Sequence, residues 1–250
     1  MSGVPDEIFD PDDYLHFYEE LLTAERTEAE TELIVRLLEL REGDEVLDVP
    51  CGHGRLAVPL AARGLQITGL DRSRPFLDLA AAAARERGVA VELVEGDMRS
   101  LPWEGRFDAL VNWYTSFGYF EDDDANRAVL RRFARALKPG GRAIIDLHDR
   151  DALARRVEAV GGEMVGLAER GDDLMIYRVS FDPAAGRSET ERIVVRDGQV
   201  RRARFSLRVL AASELRDWLL DAGFQAVELF DEHGKPYGTG AQRLIAVARA

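Results

Sequence analysis

The sequence has one cysteine among 250 residues, Cys51, so the chain can form no intramolecular disulfide and no multi-cysteine metal site. Long apolar runs are also missing, since none approaches the roughly 18 residues that a membrane helix needs. The N-terminus lacks the basic segment and apolar segment of a signal peptide. These absences favour a reducing cytoplasm. Histidines are few and far apart, which argues against a metal site; they are His16, His53, His148 and His233.

Acidic residues outnumber basic ones, with 46 Asp and Glu against 33 Lys and Arg and a formal net charge of −13. The imbalance is strongest in residues 1–32, where Arg26 is the only Lys or Arg. An acidic surface repels phosphate groups, so we expect neither a nucleic acid nor a membrane as partner. A small molecule is the expected partner. The sequence leaves open whether the chain is a monomer or a homodimer.

Short apolar segments alternate with helical ones along most of the chain. Strands are predicted at 44–49, 66–70, 89–96, 106–114, 142–148, 226–230 and 243–250. Helices are predicted at 12–24, 27–40, 54–64, 75–88, 126–141 and 213–224, with Ser73 and Ser213 as N-caps of the fourth and last. Near-continuous apolar strands alternating with helices predict an α/β fold with a doubly wound, seven-stranded, mostly parallel sheet.

The pattern changes after residue 160. Four segments within 164–210 alternate apolar and polar residues with a period near two, and turn residues separate them. Such a pattern indicates antiparallel hairpins. We therefore expect a main domain formed by residues 1–160 and 211–250, with a small antiparallel β insertion at 163–210.

A glycine-rich loop follows the first strand. Gly52 and Gly54 allow the backbone to turn tightly into a helix and to approach a ligand closely. Asp71, nineteen residues after Gly52, ends the second strand, where a carboxylate can accept both hydroxyls of a ribose. This pattern also fits a dinucleotide site, so taken alone it does not separate NAD from other adenosyl ligands.

Three further features favour an adenosyl ligand other than NAD. Asp48 stands before the turn, where a dehydrogenase usually has an apolar residue. Asp97 and Met98 end the third strand, where a carboxylate and a flat apolar group suit the edge and face of an adenine. The chain also has an additional apolar strand at 243–250. An NAD(P)-dependent oxidoreductase is kept as the alternative.

Five segments in order carry a resemblance to a known family: residues 46–55, 69–73, 96–99, 107–112 and 137–141. The chain resembles the class I S-adenosylmethionine-dependent methyltransferases, in particular the small-molecule enzymes whose first motif reads D-x-P-C-G-x-G-R. This resemblance implies S-adenosyl-L-methionine as cofactor and in-line methyl transfer to an O or N nucleophile of a small molecule. A non-catalytic S-adenosylmethionine-binding protein on the same fold stays open.

The resemblance implies a set of cofactor-binding residues. Residues 25–28 are similar to glycine N-methyltransferase, in which the corresponding arginine contacts the cofactor's carboxylate, so Arg26 is expected to do so here. The whole expected set comprises Tyr18, Arg26, Asp48, Pro50, Cys51, Gly52, Gly54, Arg55, Asp71, Arg72, Asp97, Met98, Asn112 and Trp113. No metal ligands are expected.

Two residues are candidates for the chemistry. His148 follows the fifth strand, on the edge where ligands bind, and histidine titrates in the range of a general base; a capping or surface histidine is the alternative. Tyr119 lies in an aromatic segment after the fourth strand and is expected to flank the methyl group. In similar enzymes the insertion covers the acceptor as a lid, and the expected acceptor-lining residues are Tyr114, Ser116, Tyr177, Arg208 and Tyr237.

Overall fold

The computed structural model describes residues 9–250, so the first eight residues of the predicted main domain lie outside the described part. Seven helices are found there: α1 (Pro11–Tyr18), α2 (Ala24–Leu38), α3 (Ala57–Ala61), α4 (Arg74–Arg87), α5 (Asp123–Ala136), α6 (Arg150–Ala159) and α7 (Ala212–Asp221). Within residues 9–250, no helix is both long and apolar enough to cross a membrane.

The strands form two separate sheets. In chain order they are β1 (Glu45–Asp48), β2 (Gln66–Asp71), β3 (Val91–Glu95), β4 (Phe107–Asn112), β5 (Leu137–His148), β6 (Glu163–Arg170), β7 (Asp173–Asp182), β8 (Arg187–Arg196), β9 (Gln199–Arg208), β10 (Ala226–Phe230) and β11 (Arg243–Arg249). The larger sheet has seven strands in the order β10-β11-β5-β4-β1-β2-β3, and only β11 runs antiparallel to its neighbours. The predicted doubly wound α/β fold is confirmed.

Helices cover both faces of the large sheet because its central strands are apolar on both sides. On one face Ile34 of α2 and Leu60 of α3 pack against Val46 and Val111. On the other face α5 and α7 pack against β4 and β5, with Phe133 among the fully buried side chains. This two-sided burial explains the near-continuous apolar strands of the sequence.

The smaller sheet is antiparallel in the order β6-β7-β8-β9, as the alternating pattern predicts. Helix α1 lies against it. Phe17 packs with Met175 of β7 and Val194 of β8. The buried Asp13 carboxylate forms ion pairs with the guanidinium groups of Arg196, at 3.2 Å, and Arg201. Helix α1 therefore belongs to the same layer as the insertion.

Four predicted boundaries need correction. Helix α5 ends at Ala136 rather than Gly141, because Pro139 has no N–H for a helical bond and the chain enters β5 at Leu137. Helix α3 is shorter than residues 54–64. Helices α1 and α2 are shifted from 12–24 and 27–40, and Thr23 caps the second one through the backbone N–H of Arg26.

Two helix starts near the insertion also differ from the expectation. Ser213 is not an N-cap, because α7 already begins at Ala212 and the Glu214 carboxylate accepts the N–H of Ala211 at 3.4 Å. The sequence pattern did not predict α6. This helix is capped by Asp149, whose carboxylate accepts the N–H of Ala152 at 2.7 Å.

Candidate active site

The glycine-rich loop stands at the carboxyl end of β1. Gly52 and Gly54 have φ values of 54° and 82°, in the left-handed region that favours glycine. A Cβ on Gly54 would lie 3.0 Å from the Cβ of Ala80, so the missing side chain lets the loop approach α4. A Cβ on Gly52 would meet nothing within 4 Å. The loop is therefore packed at Gly54 and open at Gly52.

Asp71 lies beside this loop, at the end of β2, and is 6% exposed. One carboxylate oxygen accepts the N–H of Gly52 at 2.8 Å and the other accepts the N–H of Ser73 at 2.9 Å. Burial raises the pKa of this carboxyl group, and hydrogen bonds from the backbone of Ser73, Gly52 and Arg72 oppose that effect. A carboxylate has about four acceptor sites, so the side chain still has an acceptor for a hydroxyl group.

Asp48 and Cys51 lie beneath the loop, away from solvent. Burial and the neighbouring Asp71 raise the pKa of Asp48 to about 8, against the opposing charge of Arg55. Burial and the same two carboxyl groups raise the pKa of the Cys51 thiol. A Cβ on Gly69 would lie 2.8 Å from Cys51 Sγ. Cys51 is thus a neutral thiol packed against β2, and the cis peptide before Pro50 leads into it.

The two residues expected at the adenine are partly engaged. Asp97 Oδ2 accepts from Arg99 Nε at 2.9 Å and from Nη2 at 2.6 Å, and Oδ1 accepts from Nε at 3.0 Å. Met98 is half-buried against the core of the large sheet. Arg72, on the exposed side of the loop after β2, also has interactions with the protein.

Glu30 of α2 is a carboxylate that the sequence analysis missed. It accepts from Arg26 Nε at 2.8 Å and from Trp113 Nε1 at 3.1 Å. It also pairs with Arg55 Nη1 at 2.7 Å. The guanidinium carbons of Arg26 and Arg55 lie 5.1 and 5.6 Å from the ring centroid of Tyr114. Arg26, Arg55 and Trp113, three expected cofactor residues, thus all contact Glu30. The spacing of four residues between Arg26 and Glu30 on one helix is a sequence signal for the first of these contacts.

Asn112, at the end of β4, carries an unpaired acceptor. Its side chain is fully buried, and Nδ2 donates to the carbonyl of Val49 at 2.7 Å. Among residues 9–250 nothing donates to its Oδ1. Buried polar atoms are normally satisfied, so this oxygen next to the loop indicates a place for a donor on a ligand.

Aromatic side chains pack together where α1, the loop after β4 and the small sheet meet. Tyr14 and Tyr18 stack with ring centroids 4.7 Å apart, and the Tyr18 and Tyr177 hydroxyls are hydrogen-bonded. Tyr119 packs against Phe205 of β9 at 5.9 Å. Burial raises the pKa of these four tyrosines, so their phenols are neutral. The sequence analysis had not singled out Tyr14.

His148 lies at the end of β5, half-buried, with Nδ1 at 3.4 Å from Arg243 Nη1. Burial and the positive charges of Arg243 and Arg156 lower the pKa of His148 to about 3. A histidine with that pKa is neutral at physiological pH and has little affinity for a further proton. The predicted general-base role gains no support from this environment.

Three residues expected at the acceptor are instead bound to protein groups. The Arg208 guanidinium directs four of its five N–H donors at protein oxygens, which belong to Asp123, Gly186, Val209 and Glu214. Tyr237 donates to Asp149 at 2.5 Å, and Ser116 donates to the carbonyl of Trp113 at 2.8 Å. These contacts also anchor the three side chains within the protein, and their place at the acceptor stays a prediction.

Part of the chain matches a family of known proteins. Residues 46–141 match the methyltransferase domain family. This matched region, together with the methyltransferases among the similar proteins, supports an S-adenosylmethionine-dependent methyltransferase. The chain is 29% identical over 209 residues to the cypemycin N-terminal methyltransferase of a Streptomyces species, covering 82% of this chain and 83% of that one. It spans only about half the length of several other curated relatives. The NAD(P)-dependent oxidoreductase alternative is thereby set aside.

Solved structures share the fold of this chain over nearly its whole length. An S-adenosylmethionine-dependent methyltransferase from Clostridium acetobutylicum superposes with a TM-score of 0.76 at 18% identity, covering 95% of this chain and 98% of the other. CalS10, an amino pentose methyltransferase from Micromonospora echinaspora with bound cofactor, has a TM-score of 0.61 at 18% identity and full coverage of both chains.

Proposed function

We propose that this methyltransferase transfers the methyl group to an amine nitrogen of a small molecule. The proposal rests on the protonation state of the side chains that are expected around the methyl acceptor. The tyrosines are neutral phenols, and His148 has a pKa of about 3. An amine that has released its proton to water offers a lone pair without help, whereas an alcohol needs a base as its proton leaves. The site therefore favours nitrogen over oxygen.

The names of two similar proteins support this choice. One methylates the N-terminus of cypemycin and the other is an amino pentose methyltransferase. We also infer that the chain belongs with the small-molecule enzymes whose first motif reads D-x-P-C-G-x-G-R, since residues 48–55 have that pattern.

The residues at the large sheet fit the cofactor. The open face at Gly52, the Asp71 carboxylate and the unpaired Asn112 oxygen all lie at one sheet edge. We assign Asp71 to the ribose, Asp97 and Met98 to the adenine, and Arg26 to the carboxylate. When bound, S-adenosylmethionine supplies a methyl group activated by a sulfonium charge.

The protein's remaining task is to orient the acceptor and to exclude water. We assign this to the insertion, residues 163–210, which acts as a lid together with α1. The hydroxyls of Tyr18 in α1 and Tyr177 in β7 are hydrogen-bonded, and this bond connects α1 to the insertion. Tyrosine rings also attract a positively charged amine before it loses its proton, and Tyr119 is assigned to flank the reacting methyl group.

Paired acceptors test the choice of nitrogen. An amino sugar, a short peptide with a free N-terminus and the matching hydroxyl compounds are each incubated with S-adenosylmethionine, and S-adenosylhomocysteine and methylated product are quantified by mass spectrometry. We expect product only from the amines. Methylation of the hydroxyl members at comparable rates contradicts the proposal.

The pH dependence tests the absence of a base. With amines of different basicity, log kcat/KM is expected to rise with pH and to level off at the pKa of each amine, because only the free base reacts. His148→Gln is expected to leave that limb in place. If log kcat/KM instead levels off at the same pH for every amine, and this pH dependence is lost in His148→Gln, His148 is the base and the prediction is wrong.

A further inference from the structure

Two successive residues after β4 have a left-handed backbone although neither is glycine. Tyr114 and Thr115 have φ values of 60° and 56°. Side chains make this conformation costly, and it persists where the surroundings impose it. The Tyr114 side chain lies at the centre of the candidate site, so the groups that impose this turn also determine where its ring stands.

A buried ion pair holds the turn. Asp146 of β5 is 1% exposed and accepts the N–H of Tyr114 at 2.9 Å through Oδ2, while its backbone carbonyl accepts the N–H of Thr115 at 2.9 Å. Arg243 of β11 binds both Asp146 oxygens at 2.6 Å, and its Nη2 also donates to Thr115 Oγ1 at 2.9 Å. The planar guanidinium fits this fork, which a lysine ammonium does not reproduce.

Three positive charges lie around the Tyr114 ring. The guanidinium carbons of Arg26, Arg55 and Arg243 lie 5.1, 5.6 and 5.8 Å from the Tyr114 ring centroid. Glu30 binds Arg26 and Arg55 as well. Both arginines therefore contact the ring and the Glu30 carboxylate at the same time. If the ring moves away, Glu30 is the remaining anchor and competes directly with any carboxylate on a ligand.

We propose that the Asp146–Arg243 pair is a positioning device for the carboxylate end of the cofactor site. It holds the Tyr114–Thr115 turn, and the Tyr114 ring in turn keeps Arg26 and Arg55 available to a ligand carboxylate. The inference rests on the proposed contact between Arg26 and the cofactor's carboxylate. Neither Asp146 nor Arg243 is itself assigned to touch the cofactor.

Two ligands separate this role from a purely structural one. S-Adenosylhomocysteine carries the carboxylate, and 5′-methylthioadenosine has the same adenosine without it. In titration calorimetry, we expect Arg243→Lys to weaken S-adenosylhomocysteine binding by about tenfold. The affinity for 5′-methylthioadenosine is expected to stay the same. Equal losses for both ligands, or no loss for either, overturn the proposal.

A second substitution tests whether the turn transmits the effect. Glycine adopts a positive φ without a steric penalty, so Thr115→Gly in the Arg243→Lys background is expected to recover part of the lost S-adenosylhomocysteine affinity. A double variant that binds no better than Arg243→Lys overturns the proposed route through the turn.

Matched controls lie elsewhere in the same fold. Arg142→Lys changes an arginine at the opposite end of the β5–β11 pair, where Arg142 binds Glu39 at 2.9 Å. Asp197→Gly places a glycine at another position with a left-handed backbone, with φ 52°, in the turn between β8 and β9. Both are expected to keep the two affinities unchanged, and thermal unfolding of every variant verifies that it is folded.

Arg26→Ala distinguishes failure of this inference from failure of the assignment beneath it. If Arg26→Ala weakens S-adenosylhomocysteine binding and Arg243→Lys does not, the carboxylate contact stands and the positioning role is wrong. If neither variant weakens binding, both are wrong.

Discussion

Asp71→Ala is expected to weaken S-adenosylhomocysteine binding by about one to two orders of magnitude for each ribose hydroxyl that loses its partner, because a hydrogen bond to a charged acceptor contributes roughly 1.5–3 kcal/mol. The substitution also removes the acceptor of the Gly52 N–H, so the glycine-rich loop loses a support at the ligand. Titration calorimetry measures the change.

Asp78→Ala is the matched control for this prediction. It removes the same charge from an exposed position on α4, where Asp78 pairs with Arg74 at 2.9 Å. We expect its affinity to equal that of the unsubstituted chain. If Asp71→Ala also binds S-adenosylhomocysteine with unchanged affinity, the ribose lies elsewhere.

Asp48→Asn is expected to change how stability depends on pH. Burial raises the pKa of Asp48 to about 8 in the folded chain, whereas an unfolded aspartate has a pKa of about 3.9. Between these two pH values the folded state binds more protons than the unfolded state. The contribution of Asp48 to the free energy of unfolding therefore falls with rising pH, by up to about 1.4 kcal/mol per pH unit. Asparagine stays neutral and keeps an oxygen for the N–H of Ala57, a bond that Asp48 makes.

The variant is therefore expected to gain stability relative to the unsubstituted chain as pH rises from 4 to 8. Urea denaturation at several pH values measures the difference, and the comparison cancels groups common to both chains. Asp78→Asn serves as the exposed control. Its free energy of unfolding is expected to differ from that of the unsubstituted chain by a nearly constant amount across this pH range. An Asp48→Asn difference that is the same at pH 4 and pH 8 contradicts the raised pKa.

Local patterns were sufficient for most of the fold. The strands of the large sheet are buried on both faces and read as apolar runs, and those of the insertion alternate because one face is exposed. The errors lie where local signals compete. Ser213 has the residue type of a cap, yet α7 starts before it. Helix α6 has an Asp cap, but its many charged residues weaken the apolar periodicity that marks a helix.

The sequence by itself determined the chemistry of the loop, because Gly52, Gly54 and Asp71 act through backbone geometry and a single parallel pair of strands. Only the tertiary structure decided which side chains surround the reacting groups. Glu30 meets Trp113 across 83 residues, and Arg243 meets Asp146 across 97. These contacts arise because α2 packs on the sheet and β11 enters it antiparallel beside β5. Alternation indicates the face of a strand but not the partner opposite it, so the pattern alone did not show that Arg208 binds Asp123 and Glu214.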